Sequence, residues 1–222
     1  MKFEKTEVYN FDGALRGMRN PLNSWDKSDS YYSTEEKRYV IGENDLSLAQ
    51  KLISGGSEHR KFLRQIFVSV DITAPMYWFS QFDTYKVGTV ANSTSKMHKL
   101  ASEPITIQCF ETSDMEGELD ALIPPSENVT FNVTCFWADI IYVCEYLRRK
   151  YLETKNYGYW KELLRILPES WLQKRTITLN YENIRTIYFQ RRNHKLKEWT
   201  VDFCEWVESL PYAKELIMYD GE

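Results

Sequence analysis

The run Phe67-Val68-Ser69-Val70-Asp71-Ile72-Thr73-Ala74-Pro75-Met76-Tyr77-Trp78-Phe79 decides the architecture of this chain. Val68, Val70 and Ile72 alternate with Ser69 and Asp71, the two-residue period of a strand, and the strand could begin as early as Phe62. Pro75 suits the first turn of a helix, which the aromatic residues Tyr77, Trp78, Phe79 and Phe82 carry from Met76 to about Tyr85. Upstream, Leu46, Ala49, Leu52 and Ile53 recur at helical spacing, predicting a short helix over Glu43–Ile53 that ends at Gly55-Gly56. Residues 1–42 read as polar and turn-rich, with loop segments at 20–24 and 26–30.

Downstream of the quoted run, residues 87–100 form a small-residue, polar stretch (Gly88-Thr89-Val90-Ala91-Asn92-Ser93-Thr94-Ser95) that reads as a functional loop. Residues 101–130 are acidic and irregular, with Pro124-Pro125 near their end, and read as an insertion. The rest reads as strongly helical. Phe136, Ile140, Ile141, Cys144, Leu147 and Tyr151 make one stripe of a long helix over Thr134–Lys155. Further helices follow over Trp160–Leu167, Tyr181 to about Arg192, and Leu196–Leu210. No internal repeat is visible. The expectation is an α+β fold in one domain, residues 1–222, with a small sheet early and helices in the C-terminal half.

Composition narrows the class. The 222 residues are 43% hydrophobic, enough for one substantial core, and carry 7 Trp, 15 Tyr and 11 Phe, which excludes a disordered chain. Lys plus Arg (28) nearly balance Asp plus Glu (32), for a formal charge of −4, so a general nucleic-acid-coating protein is not expected. No run approaches the length of a membrane span. The charged start lacks the apolar core of a signal peptide, so a cytoplasmic location is expected, with the sequons at Asn92, Asn128 and Asn132 unmodified. Cys109, Cys135, Cys144 and Cys204 are scattered and read as reduced thiols.

Three constellations could carry chemistry. His59, His98 and His194 match no metal-ligand spacing, so no metal is expected. Arg185, Arg191, Arg192, Lys195 and Lys197 cluster with His194 within thirteen residues. Such guanidinium groups offer forked donors to a phosphate, carboxylate or pyrimidine carbonyl, although spacing alone slightly favours a solvated helix face paired with Glu182 and Glu198. Neighbouring helical arginines cannot face the same way, so at most one of Arg191 and Arg192 points into a given site. The third constellation, the loop 88–95, supplies backbone amides and hydroxyls suited to a phosphate or sugar.

Read in order, these segments resemble the flavin-dependent thymidylate synthases. Glu58-His59 leads a strand into Asp71-Ile72-Thr73-Ala74-Pro75, similar to the family's histidine, strand and Ala-Pro helix start. The stretch from Phe79 to Ser95 occupies the place of a signature block in which the family has Gln, then Arg-His-Arg, then Asn-Glu-x-Ser-x-Arg-Tyr. Asn180 through His194 resembles a late helix that carries a flavin-contacting Asn and, eleven residues on, a substrate-binding Arg. Departures are plain. Gln81 is kept, but Thr84-Tyr85-Lys86 replaces Arg-His-Arg. With one residue inserted, Asn92 and Ser95 match the block, Ser93 replaces its Glu, and Met97-His98 replaces Arg-Tyr. The family's intervening Arg falls on Glu182, or on Arg185 if a gap is allowed.

The resemblance implies the thymidylate synthase-complementing fold and methylation of dUMP to dTMP, with methylenetetrahydrofolate as one-carbon donor and reduced FAD as hydride donor. It also implies NADPH as reductant and a homotetramer with sites shared between subunits. Arg191, with Ser95, would be catalytic, Arg191 holding the pyrimidine edge. Gln81, Lys86, Ser93, Ser95 and Arg191 would bind the nucleotide. His59, Tyr85, Asn92, Asn180, Arg185 and His194 would bind flavin. Because the charged signature is altered, two alternatives stand beside this: a related enzyme acting on another pyrimidine nucleotide, and a scaffold that has lost catalysis.

Overall fold

A computed structural model describes residues 1–113 and 133–221. In chain order the elements are β1 (Lys2–Tyr9), α1 (Phe11–Arg19), β2 (Tyr31–Ser33), β3 (Arg38–Val40), α2 (Glu43–Ser54), β4 (Phe67–Pro75), α3 (Met76–Phe82), β5 (Val90–Ser93), α4 (Lys96–Lys99), α5 (Val133–Thr154), α6 (Tyr157–Ile166), β6 (Leu172–Asn180), α7 (Tyr181–Arg191) and α8 (Cys204–Glu208). The chain is a mixed α and β fold with a small antiparallel sheet. Four strands hydrogen-bond in the order β1-β4-β6-β5, and β2 pairs with β3 in an antiparallel hairpin, Tyr32 opposite Tyr39.

The polypeptide divides into two compact units, the first of Met1–Ile72, Phe82–Asn92 and Arg175–Glu222, the second of Thr73–Gln81 and Ser93–Lys174. In the first unit, Val68 and Val70 of β4 and Ile177 and Leu179 of β6 are fully buried, together with Ile184 and Ile187 on the inner face of α7. Phe11 packs edge-on against both Tyr181 and Tyr212, and the Tyr181 hydroxyl donates to Pro211 O at 2.7 Å. Burial pushes the Tyr181 phenol far above its usual range, so it stays a neutral donor. Arg19 and Asp45 form a buried ion pair, and Asp45 also accepts from the hydroxyls of Ser28 and Ser30. Burial alone would raise the Asp45 carboxyl. The hydrogen bonds from Ser30, Ser28 and Arg19 outweigh it and hold the group below the usual carboxylate range. The second unit is built on α5 and α6, where Leu100, Ile105, Phe110, Cys144, Leu147 and Leu163 form one apolar cluster.

The expected elements at 43–53, 67–72, 134–155, 160–167 and 181–192 are present. Five expectations change. Residues 1–42 hold an eight-residue strand and a nine-residue helix rather than only turns. β1 lies at a sheet edge with most side chains exposed, so it shows no alternation, while Phe11, Ala14, Leu15 and Met18 of α1 are at helical spacing and buried. The loop read over 87–100 contains β5 and the short α4. The helix from Met76 stops at Phe82 rather than Tyr85. The C-terminal helical half contains β6, whose polar Lys174-Arg175-Thr176 hides a strand with Gln173, Ile177 and Leu179 buried. The helix expected over 196–210 begins as a π-helical stretch, Glu198–Phe203, before α8. Residues 114–130 of the expected insertion lie outside the described residues, and 101–113 form turns closed by a bridge between Phe110 and Trp171.

Candidate functional site

α7 positions the most chemically organised cluster of the first unit. Its N-terminus is fixed by a capping box: Asn180 Oδ1 accepts from Asn183 N at 2.9 Å, and Asn183 Oδ1 accepts from Asn180 N at 3.3 Å. The Asn183 side-chain amide donates to Val87 O at 2.8 Å, which ties the 83–92 segment to the helix start. Gly88 then turns with φ +77°, and a Cβ there would meet the side chains of Asn183 and Asn180 at 3.0 and 3.1 Å. Both backbone hand and space therefore call for glycine.

At the other end of α7, Arg191 Nε donates to the Tyr85 hydroxyl at 2.8 Å, and that hydroxyl donates to Gln190 Oε1 at 3.0 Å. The Arg191 guanidinium lies 5.6 Å from the Tyr85 ring centre and 5.1 Å from that of Trp199. The Tyr85 and Trp199 faces and the Tyr85 hydroxyl help to set the plane of this cation. His194 stands edge-on to Trp199, with centroids 6.4 Å apart, and its Nδ1 accepts from Leu196 N at 3.1 Å, leaving Nε2 as the donor nitrogen of the neutral ring. Arg192 turns elsewhere and lies over Phe189 at 4.8 Å, as helical geometry requires of adjacent residues.

Beside Tyr85 is a cavity of about 180 Å³ lined by Phe82, Asp83, Tyr85, Lys86, Thr89 and Ala91. Asp83 is neutralised by Arg175 at 2.7 Å. The Thr89 hydroxyl oxygen is buried at this cavity and has no hydrogen-bond partner among the described residues. A polar lining atom in that state suits a ligand acceptor or donor.

The structure thus joins Tyr85, Lys86, Arg191 and His194, and brings Asn180 against the same 83–92 segment. Other expected site residues go elsewhere. His59 lines a separate pocket of about 600 Å³ among Met18, Leu22, Leu48, Leu52 and Phe62. Its neighbour Arg60 pairs with Glu182 in the first turn of α7 at 2.9 Å. Arg191 is then roughly 14 Å away along the helix at about 1.5 Å per residue. Arg185 is buried and donates to Ile217 O at 2.7 Å and to Tyr219 O, tethering the C-terminal segment. Burial lowers its pKa. Asn92 is exposed on β5. Gln81, Ser93 and Ser95 belong to the second unit: Gln81 is half-buried one residue before the end of α3, Ser93 ends β5 exposed, and Ser95 precedes α4, its carbonyl accepting from Lys99 N at 2.9 Å. Thr89 and Trp199 were not among the expected residues. The hydroxyl-rich stretch pointed toward Thr89, whereas nothing in the local pattern marks Trp199 as the partner of Arg191.

Cys144 and Cys204 are buried, and burial raises both thiols, that of Cys144 to about 11, so neither is a poised nucleophile. Among the described residues, no group of three His, Cys, Asp or Glu is placed to hold a metal ion, and no helix is long and apolar enough to cross a membrane.

Solved structures that match this chain over almost its full length include thymidylate synthase crystal structures. The flavin-dependent thymidylate synthase ThyX from Helicobacter pylori, complexed with FAD and dUMP, superposes with a TM-score of 0.65 at 16% identity, covering 98% of each chain. The fold is that of flavin-dependent thymidylate synthase. A second Helicobacter pylori ThyX structure with FAD and dUMP gives a TM-score of 0.64 at 15% identity, covering 97% of this chain and 96% of that one. No protein-family model and no curated protein matches the sequence. The thymidylate synthase fold is therefore kept at an identity where side-chain chemistry has to be judged residue by residue.

Proposed function

We propose that the chain binds a pyrimidine nucleotide and FAD and acts as a flavin-dependent thymidylate synthase, methylating dUMP to dTMP with methylenetetrahydrofolate and with NADPH as reductant. The observation that carries this reading is the Arg191 guanidinium, held in one plane by Tyr85 and Trp199 at the end of α7. Its fork-shaped donor set matches a pyrimidine carbonyl and favours negative charge as it develops on the ring. Orientation fixed before the substrate arrives is what makes such a group effective.

The residues present fit a flavin and nucleotide site as one wall of it. Lys86 supplies a point charge for a phosphate, Thr89 a buried hydroxyl, and His194 a donor nitrogen. The cavity of about 180 Å³ is smaller than the roughly 300–1,000 Å³ typical of ligand pockets. That shortfall supports a site completed by neighbouring copies in a homotetramer, where His59 of another subunit has no need to lie near Arg191 of the same chain. FAD supplies the hydride when bound. The chain's part is to orient the pyrimidine through Arg191, to anchor its phosphate through Lys86, and to keep Arg191 in register through the Tyr85 hydroxyl.

Purified protein is expected to take up FAD and to release tritium from 5-labelled dUMP in the presence of methylenetetrahydrofolate and NADPH. Protein that stays colourless after reconstitution with FAD contradicts the reading. The replacement of Arg-His-Arg by Thr84-Tyr85-Lys86 favours one second reading, a different pyrimidine nucleotide as substrate. A thermal-shift panel separates the two: a large stabilisation by dUMP alone excludes the second.

A further inference from the structure

Two successive residues of α7 share one partner. Arg191 Nε donates to the Tyr85 hydroxyl at 2.8 Å, and Gln190 Oε1 accepts from the same hydroxyl at 3.0 Å. Successive helical residues point about 100° apart, so the Tyr85 oxygen has to sit between them. All three residues belong to the first unit. The direction of each bond follows from the groups themselves. A guanidinium has donors only, so the hydroxyl oxygen accepts from Arg191, and its one proton has to go to an acceptor. The Gln190 carbonyl is that acceptor; its amide group in the same place would bring a second donor to the hydroxyl and leave the Tyr85 proton unplaced. We infer that Gln190 is a positioning residue: by taking the Tyr85 proton it turns a lone pair of that hydroxyl onto Arg191 Nε and fixes where the guanidinium aims. This rests on the reading of Arg191 as the group that orients the pyrimidine, and adds to it the residue that holds its partner.

The rest of the segment leaves this task to Gln190. Asn183 ties Val87 O to the start of α7 at 2.8 Å, and Phe82 packs edge-on against the Tyr85 ring at 6.4 Å, so backbone and ring are already held. What those contacts do not set is the direction of the hydroxyl proton. Arg192, the next residue of the chain, lies over Phe189 and takes no part. The consequence is chemical. A phenol hydroxyl can donate to a carbonyl or accept from an amine, so an uncommitted Tyr85 would meet either kind of base edge. With its proton on Gln190 and a lone pair on Arg191, selectivity passes to the charged groups of this wall, Arg191 and Lys86, which can only donate. Donors match a ring carbonyl, as in uracil, and face the exocyclic amine of cytosine donor against donor.

Solvent exchange of the Arg191 Nε proton, followed by nitrogen-15 NMR of the full chain without ligand and assigned through Arg191→Lys, tests the relay without any nucleotide. Gln190→Met keeps the side-chain length and removes the acceptor, and is expected to speed this exchange by roughly threefold to tenfold, the worth of one hydrogen bond. Gln190→Glu keeps an acceptor and is expected to leave the exchange slow. Tyr85→Phe should speed it at least as much as Gln190→Met, and combining the two should add nothing, because Gln190 acts through the hydroxyl. In FAD-reconstituted protein the wild type is expected to prefer dUMP over dCMP. Gln190→Met should lower that preference by roughly threefold to tenfold while flavin affinity stays unchanged. Unchanged exchange in Gln190→Met, or additive effects in the double variant, overturns the inference. So does a Gln190→Met protein that binds dUMP and dCMP in the wild-type ratio. A wild type that binds neither nucleotide, with the exchange results as expected, supports the positioning of Arg191 by Gln190 and sinks the proposed function alone.

Discussion

The two units of this molecule are held together by different physics. The first spends charged and polar groups inside: Arg19 on Asp45, Arg60 on Glu182, Arg185 on the C-terminal carbonyls, and Asn180 on the start of α7. The second is centred on apolar contact between α5 and α6, around Leu163 and Cys144, with the buried Arg148 held by Glu145 and Ala101 O beside it. Apolar packing is non-directional, whereas a buried ion pair or capping box permits one geometry. Some of the directional contacts, Arg60 on Glu182 and the Asn180 cap, fix the start of the helix that carries Arg191. The difference teaches that polar burial here serves placement, and apolar burial serves cohesion.

Breaking the buried pair should show this most strongly. Asp45→Ala leaves Arg19 charged, buried and without its carboxylate, and a cost of about 3–5 kcal/mol is expected from urea denaturation. A cost under 1 kcal/mol would mean that the polar interior is incidental. In the second unit, Leu163→Ala removes a fully buried side chain and should cost about 2–5 kcal/mol. Nucleotide binding should survive where enough folded protein remains, because this contact aims nothing.

The rim of the second unit should be sensitive to acid. A hydrogen bond from Arg148, aided by the Ile105 amide and Arg149, pulls the Glu145 carboxyl down to about 2. A depressed carboxylate contributes stability that is present above its unfolded pKa, about 4.3, and is lost as pH falls toward 2. The urea midpoint should therefore fall across that window, and Glu145→Gln should flatten the slope while lowering the midpoint at pH 7. An unchanged slope would show that the Glu145 contacts do not persist in solution. The smallest effect belongs to the cap. Asn180→Ala removes one side of the capping box and should cost about 0.5–2 kcal/mol, read from the same denaturation curves. Because Asn183 also holds Val87, the variant sharpens the comparison if nucleotide affinity drops more than stability does.

Much of the fold was legible because its central elements obey simple periods. β4 alternates Val68, Val70, Ile72 and Ala74 on one buried row, and α5 carries a helical stripe through Cys144 and Leu147. β1 escaped because an edge strand with two solvated faces has no hydrophobic period to read. β6 escaped because only Ile177 and Leu179 mark it, while the buried Gln173 uses its amide on Thr94 O. At the candidate site, the pairing of Arg191 with an early segment followed from spacing and resemblance. Its clamp by Trp199 did not, since Trp199 lies eight residues further on, beyond the end of α7, and no local pattern links the two. Arg185 and His59, expected as flavin-binding residues beside Arg191, are set apart by burial and by their surroundings, which the local sequence does not reveal.

The most direct test is a titration of FAD-reconstituted protein with dUMP, followed in the flavin absorbance bands, for the wild type and Arg191→Ala. The wild type should bind flavin and show a saturable spectral change with dUMP, and Arg191→Ala should keep the flavin while losing dUMP affinity by about 10–10²-fold. Equal dUMP affinity in the two proteins, or no flavin uptake by the wild type, would contradict the account.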